Sequence, residues 1–172
     1  MPYREAKPLT ARGQIQIKFA KRVAKLVNTF QCLIVSADPQ RREMLERAAD
    51  DGGWKTSLCS DPGSAMTHLS RAFVQLAVVD LEGQQIESFR LLVEQLTART
   101  GLLLIVCGNE GKVEEEIWVR QSGAWLYLPG VVESSNFALL CGEARHIAER
   151  VCKTNSPERV AGPSAAQRKS FT

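Results

Sequence analysis

From residue 31 onward the chain alternates short apolar runs with amphipathic stretches, a pattern typical of β/α proteins. The runs at 32–36, 74–80 and 102–107 are almost continuously apolar. Such runs predict parallel strands that are covered on both faces of a sheet. The run at 54–59 alternates more and predicts an edge strand, and a fifth strand is predicted at 125–128.

Helical periodicity fills the intervals between these runs. Asp38 is the predicted N-cap of the first helix, with Pro39 at its first position. Apolar residues at three- and four-residue spacing predict the buried faces of five helices, which carry, in chain order, Met44, Leu45, Ala48 and Ala49; Ala65, Leu69 and Ala72; Phe89, Leu92, Val93 and Leu96; Val113 and Ile117; and Phe137, Leu140, Ala144, Ile147 and Val151. Strict alternation of strands and helices predicts a doubly wound, five-stranded parallel sheet, because each crossover must be right-handed and cover a face.

The two ends of the chain differ from this pattern. In the arm 1–30 an extra amphipathic helix is predicted over 14–30, with one apolar face of Ile15, Phe19, Val23, Leu26 and Phe30. The opposite face of that helix is basic and carries Lys18, Lys21, Arg22 and Lys25. Residues 154–172 are rich in Ser and Pro and predict a disordered basic tail. The central domain therefore spans 31–153.

Composition excludes several classes of protein. The chain has 172 residues, of which 44% are hydrophobic and 24% charged, as in one compact domain with short appendages. Its apolar runs are far shorter than the ~20 residues that span a bilayer, and no basic-then-apolar leader opens the chain, so we expect neither a membrane nor a secreted protein. An odd number of cysteines without a CxxC pair predicts buried thiols in a reducing cytoplasm, at Cys32, Cys59, Cys107, Cys141 and Cys152.

The net charge of +3 is unevenly distributed. Residues 1–30 carry seven basic residues against one acid, residues 31–152 carry eleven against seventeen, and residues 153–172 carry four against one. A mildly acidic domain is thus flanked by two basic ends, which is typical of interaction arms. Three roles stay open for the N-terminal helix: packing on the domain, docking on a partner, or contact with nucleic acid or a membrane surface.

Four segments carry a family resemblance. They are IVSADP at 34–39, VVDL at 78–81, LIVCGNE at 104–110 and GAWLYL at 123–128. In letters and spacing they resemble the receiver domain of bacterial response regulators, over residue 31 to about residue 153. The resemblance implies a flavodoxin-like receiver fold with a phosphoacceptor Asp at the end of the third strand, which places Asp80 at the acceptor position.

The same resemblance implies a set of partners for the acceptor that this chain lacks. Receivers bind Mg²⁺ through two acids that close the first strand, and use a hydroxyl residue that closes the fourth strand and a Lys in the loop after the fifth. The corresponding positions here hold Ser36, Ala37, Cys107 and Gly130. Asp38 is the third acid of the family's usual run, and its simpler interpretation is the helix cap. The sequence therefore resembles a pseudo-receiver, without a metal or another cofactor.

The predicted function is a non-catalytic signalling module of the bacterial cytoplasm that contacts a protein partner or a second copy of itself. We do not expect an enzyme, because the sequence shows no recognisable arrangement of a nucleophile and a base. One alternative is a nucleic-acid-associated regulator that uses the basic arm and tail. Another is a response regulator that is weakly phosphorylated at Asp80.

Three aromatic residues mark a candidate interaction surface. Trp125 and Tyr127 share a face of the fifth strand by the two-residue period, and Trp118 precedes them on the fourth helix. The resemblance implies that this side of the domain contacts partners. Core filling and interface anchoring both remain open for these side chains.

Overall fold

The computed structural model describes residues 30–84, 86–130 and 134–154, without the side chains of the last two. Five parallel strands form one sheet in the order β2-β1-β3-β4-β5. They are β1 (Gln31–Val35), β2 (Lys55–Cys59), β3 (Leu76–Asp80), β4 (Leu103–Gly108) and β5 (Leu126–Pro129). The predicted parallel sheet is confirmed. Two end residues of the terminal predictions are described and contradict them: Phe30 directly precedes β1 and is not helical, and Thr154 is helical. The rest of the predicted N-terminal helix, with Lys18, Lys21, Arg22 and Lys25, and residues 155–172 of the predicted tail lie outside the described residues.

Five helices connect and follow the strands: α1 (Pro39–Asp51), α2 (Pro62–Leu69), α3 (Ile86–Thr97), α4 (Val113–Gln121) and α5 (Ser134–Thr154). The predicted cap of α1 is confirmed, because the Asp38 carboxylate accepts a hydrogen bond from the Gln40 N–H at 2.8 Å. Asp61 caps α2 in the same way through the Ser64 N–H at 2.9 Å. Both helices carry Pro at the first position, where a missing N–H costs nothing.

The core lies in two layers, one on each face of the sheet. One layer packs α2, α3 and α4 against residues such as Leu33, Val79 and Val106. The other packs α1 and α5 against alternate residues of the same strands, among them Ile34, Val78 and Ile105. The central strands are buried on both sides, as their continuous apolar runs predict.

The prediction for the buried face of α4 is wrong. Val113 and Ile117 are 64% and 49% exposed, whereas Glu115 and Val119 are buried. The apolar periodicity of this short helix is weak, and its orientation follows from Glu115, whose carboxylate finds hydrogen-bond donors inside the domain. Two apolar side chains are consequently left on the surface.

Candidate functional site

Asp80 ends β3 at the carboxyl edge of the sheet and is only 2% exposed. Its Oδ2 accepts hydrogen bonds from Ser36 Oγ at 2.7 Å and from Arg41 Nε at 2.9 Å. Its Oδ1 accepts from Arg41 Nη2 at 3.0 Å and from the Glu82 N–H at 3.2 Å. A carboxylate has about four acceptor sites, so donors of the same chain satisfy Asp80 completely.

Arg41 reaches Asp80 because the cap at Asp38 starts α1 directly after the first loop. This places Arg41 in the first turn, with its side chain 14% exposed. The guanidinium fork matches the carboxylate with two parallel hydrogen bonds, the stronger class of ion pair. Its Nη1 also pairs with Glu82. One internal cation therefore pairs with two carboxylates.

Arg41 keeps its positive charge in this position. Burial by itself lowers the pKa of Arg41, but the hydrogen bonds to Asp80 and the negative charges of Asp80 and Glu82 raise it further than burial lowers it. The net shift of the pKa is upward from a value that is already far above neutrality. Arg41 therefore stays protonated throughout the physiological range.

The structure brings together some of the sequence-predicted site positions. Ser36 is fully buried against Asp80, and Cys107 is the strand-register partner of Asp80 in β4. Ala37 is exposed, and Asp38 is turned toward the start of α1. Gly130 lies just beyond β5 with a φ of 77°, and its N–H donates to the Gly108 carbonyl at 3.0 Å.

Sequence reasoning missed Arg41 and Glu82, which complete the cluster around Asp80. The sequence feature that points to such partners is the acid at the end of the third strand, Asp80. An Asp that ends an almost entirely apolar strand needs a cation or several donors, since an uncompensated buried charge is costly. Arg41 is a candidate for that cation because it follows the neighbouring first strand.

The buried-thiol prediction is confirmed for four cysteines and wrong for Cys152, which is exposed. Burial raises the pKa of Cys107 to about 12, and the charge of Asp80 adds to this shift. Burial likewise raises the pKa of Cys141 to about 12 and that of Cys32 well above its usual value. These three thiols are therefore protonated at neutral pH and poorly nucleophilic.

A second buried polar cluster lies beside the Asp80 site. Glu115, in the first turn of α4, is 1% exposed and accepts from the Asn109 N–H at 2.8 Å and from Asn109 Nδ2 at 3.0 Å. It also accepts from Tyr127 Oη at 3.0 Å. Asn109 in turn donates to the Leu81 carbonyl at 3.2 Å and accepts from the Gly83 N–H at 3.3 Å. The cluster thus joins the loops after β3 and β4 to α4 and β5.

Removing one member of this cluster should destabilise the fold in proportion to the hydrogen bonds that are lost. We expect Glu115→Leu to cost about 3 kcal/mol, since it removes the acceptor of three hydrogen bonds, and Tyr127→Phe to cost about 1 kcal/mol. Urea denaturation measures both free energies of unfolding. Equal losses for the two variants would contradict a network that is centred on Glu115.

The predicted surface of three aromatics is not present as one surface. Tyr127 is 4% exposed and packs in the layer under α2, α3 and α4, whereas Trp125 is half-buried and packs against the other layer. The prediction that they share a face is wrong: Trp125 lies one residue before β5 and packs in the same layer as Leu126 and Leu128, opposite to Tyr127. Trp118 is half-buried, with the Arg90 guanidinium 5.0 Å from its ring centre.

None of the helices in the described residues combines the length and the apolarity that a bilayer crossing requires. Within the same ranges, no group of three or more His, Cys, Asp or Glu side chains is arranged to hold a metal ion.

Comparisons with known proteins establish the fold. No protein-family model matches the sequence, and no curated protein matches it significantly. Among solved structures, a CheY-like receiver domain protein from Methanospirillum hungatei JF-1 is similar with a TM-score of 0.61 and 18% identity, covering 73% of this chain and 99% of that one. The receiver domain of a putative Luxo repressor protein from Vibrio parahaemolyticus is similar with a TM-score of 0.65 and 14% identity, covering 74% of this chain and 98% of that one. The chain has the receiver fold, as the sequence resemblance implies.

Proposed function

We propose that this chain is a receiver-like regulatory module that acts by protein–protein contact and is not switched by phosphorylation of Asp80. The observation that carries this proposal is the saturation of the Asp80 carboxylate by Ser36, Arg41 and the Glu82 N–H. Phosphoryl transfer to a carboxylate needs a free oxygen that can attack phosphorus. In this fold the acceptor oxygens are engaged in four internal hydrogen bonds.

The divalent cation that the receiver fold implies does not fit this site. Magnesium needs near-octahedral oxygen ligands, and the positions that should supply two carboxylates hold Ser36 and Ala37. The Arg41 guanidinium lies between Asp80 and Glu82, where a cation would have to approach both carboxylates. Gly130 offers no ammonium group for phosphoryl oxygens. We therefore derive no phosphorylation step for this chain.

The proposed working surface is the outer side of α4. Val113 and Ile117 lie four residues apart on one face of the helix and are both largely exposed. Exposed apolar side chains that neighbour each other are candidates for partner contact. The cluster around Glu115 holds α4 against β5, so this surface is presented in one fixed orientation.

Charging the α4 surface should weaken association without unfolding the domain. We expect Ile117→Glu to reduce binding to its partner, whether a second copy or another protein, by at least about tenfold, because a desolvated carboxylate costs more than 1.4 kcal/mol. Its melting temperature should stay close to that of the wild type, since Ile117 is on the surface. Sedimentation velocity and quantitative capture of the bound partner measure the two kinds of association.

Leu91→Glu is the matched control, because Leu91 is an apolar residue of α3 that is also largely exposed. This control should associate like the wild type. Wild-type association should also be unaffected by acetyl phosphate with Mg²⁺. Equal losses in both variants would contradict the α4 surface, and association that depends on acetyl phosphate would contradict the proposed function.

A further inference from the structure

The strand β2 forms one edge of the sheet, and among the described residues no strand pairs with its outer side. Lys55 at one end and Cys59 at the other make backbone hydrogen bonds of 2.9 and 3.1 Å to the residues that flank β1. Alternation along the strand then points the N–H and C=O groups of Thr56 and Leu58 away from the sheet. The outer edge of β2 can therefore accept a further strand.

The middle of β2 lacks the features that usually keep sheet edges apart. Its central residues Thr56, Ser57 and Leu58 are uncharged, and the strand contains no Pro. The Leu58 side chain is 41% exposed. Its register partner in β1 is Ile34, which belongs to the layer under α1 and α5, so Leu58 projects from that same face of the sheet. An apolar side chain at a free edge is suited to contact with a partner strand.

Opposite charges lie at the two ends of β2. Lys55 opens the strand and is exposed, and Asp61, also exposed, follows the strand with an extended backbone, φ −151° and ψ 160°. The Asp61 carboxylate accepts hydrogen bonds from the Ser64 N–H, from Ser64 Oγ and from Ser60 Oγ. These hydrogen bonds, above all the one from the Ser64 N–H, lower the pKa of Asp61. Since a carboxylate has about four acceptor sites, the ionised Asp61 can also pair with a cation.

The charges at the ends of β2 are complementary to those of a second copy of the strand. In a closed two-fold dimer a strand pairs with its own copy in the antiparallel direction. With Leu58 on the axis, Lys55 lies opposite the second copy's Asp61, and symmetry repeats this pair. Opposite charges on directly opposing residues of antiparallel strands attract. With Ser57 on the axis, Lys55 lies opposite Cys59 and its charge is not compensated. The charge pattern therefore favours the register centred on Leu58.

The side chains of α1 that border β2 also match in this register. Near the start of β2, the carboxylates of Glu46 and Asp50 accept from the Thr56 hydroxyl. Near the end of β2, Arg42 donates to the Ser36 carbonyl at 2.6 Å, and the Ser36 N–H donates to the last residue of β2. Because the second copy runs in the opposite direction, the acidic end of one α1 faces the Arg42 end of the other. Like charges of α1 therefore do not meet across the axis.

We propose that two copies of this chain pair through the outer edges of β2, antiparallel and centred on Leu58, and so join their two five-stranded sheets into one. The outward N–H and C=O groups of Thr56 and Leu58 then find backbone partners, and the Leu58 side chain is covered by its symmetry mate. The pairing does not use α4, and it does not depend on the state of Asp80.

Sedimentation velocity of the full-length chain over a range of concentrations tests this pairing. The wild type should form a dimer as the concentration rises. Leu58→Lys brings two like charges together on the axis and should weaken the dimer at least about tenfold. Leu91→Lys adds the same charge to an exposed apolar position of α3 and should associate like the wild type. A wild type that stays monomeric would overturn the proposal. So would association that is unchanged in Leu58→Lys, because the copies would then meet elsewhere.

A charge exchange between copies tests the register and does not depend on the folding of Leu58→Lys. Lys55→Glu alone sets two acids opposite each other, and Asp61→Lys alone sets two cations opposite each other. Each variant should therefore dimerise at least about tenfold more weakly than the wild type. In an equimolar mixture every cross-strand pair is again opposite in charge, so a heterodimer should form with about the wild-type affinity. Asp61→Lys also removes the cap of α2, which mixing does not restore, so the recovery measures the charge pairing alone. A mixture that associates no more strongly than either variant alone would overturn the register centred on Leu58.

Discussion

Replacing Arg41 with alanine is expected to destabilise the protein by about 3 to 5 kcal/mol, because it leaves the buried carboxylate of Asp80 without its cation. Asp80 is 2% exposed, and the Arg41 side chain is 14% exposed, so water compensates little for the loss. The substitution removes two hydrogen bonds to Asp80 together with the ion pair to Glu82. Chemical denaturation with an unchanged m-value measures the change in the free energy of unfolding.

Two further variants separate this effect from the simple loss of a long side chain. Arg120→Ala removes an exposed guanidinium from an ion pair with Glu116 and should change stability by no more than about 0.5 kcal/mol. In the double variant Arg41→Ala/Asp80→Asn the uncompensated charge is gone, so stability should recover by about 2 kcal/mol relative to Arg41→Ala alone. If Arg41→Ala lowered the free energy of unfolding as little as Arg120→Ala, Arg41 would not be the cation that compensates Asp80.

Gly108→Ala is expected to cost about 3 kcal/mol, near the upper end of overpacking substitutions. A Cβ at Gly108 would overlap Tyr127 Oη and Cε2 as well as Glu115 Oε1. Neither side chain can move away cheaply, since each is buried and holds the other by a hydrogen bond. The glycine is therefore required by the close approach of Tyr127 to the end of β4.

Gly142→Ala is the matched control for this substitution. Gly142 lies inside α5, and a Cβ there meets no atom within 4 Å. Alanine should therefore stabilise the protein by about 0.5 to 1 kcal/mol through the helix propensity of the residue. We expect urea denaturation to show a loss of stability for Gly108→Ala and a gain for Gly142→Ala. A Gly108→Ala variant as stable as the wild type would show that Tyr127 is not held at the end of β4.

The sheet and the first helix could be predicted because their signals are local. Three almost continuous apolar runs are what strands buried on both faces require, and Asp38 followed by Pro39 marks the start of α1. The orientation of α4 could not be predicted in this way. Its buried Glu115 is stabilised by Asn109, which follows β4, and by Tyr127, which lies on β5.

The candidate site was likewise predicted only in part. The absence of the expected acids and Lys could be inferred from Ser36, Ala37 and Gly130, because family spacing fixes those positions. The Arg41 side chain reaches Asp80 across 39 residues of sequence, and its bidentate geometry depends on how α1 packs on the sheet. A long-range ion pair of this kind leaves no periodic signal in the sequence.

The most direct test of the central claim is the intact mass of the protein after incubation with acetyl phosphate and Mg²⁺. A receiver domain known to accept phosphate serves as the positive control in the same reaction mixture. With its Asp80 carboxylate held by Ser36 and Arg41, the wild type should show no added phosphoryl group. A wild-type species that gains one phosphoryl group, and is absent in Asp80→Asn, would contradict the account.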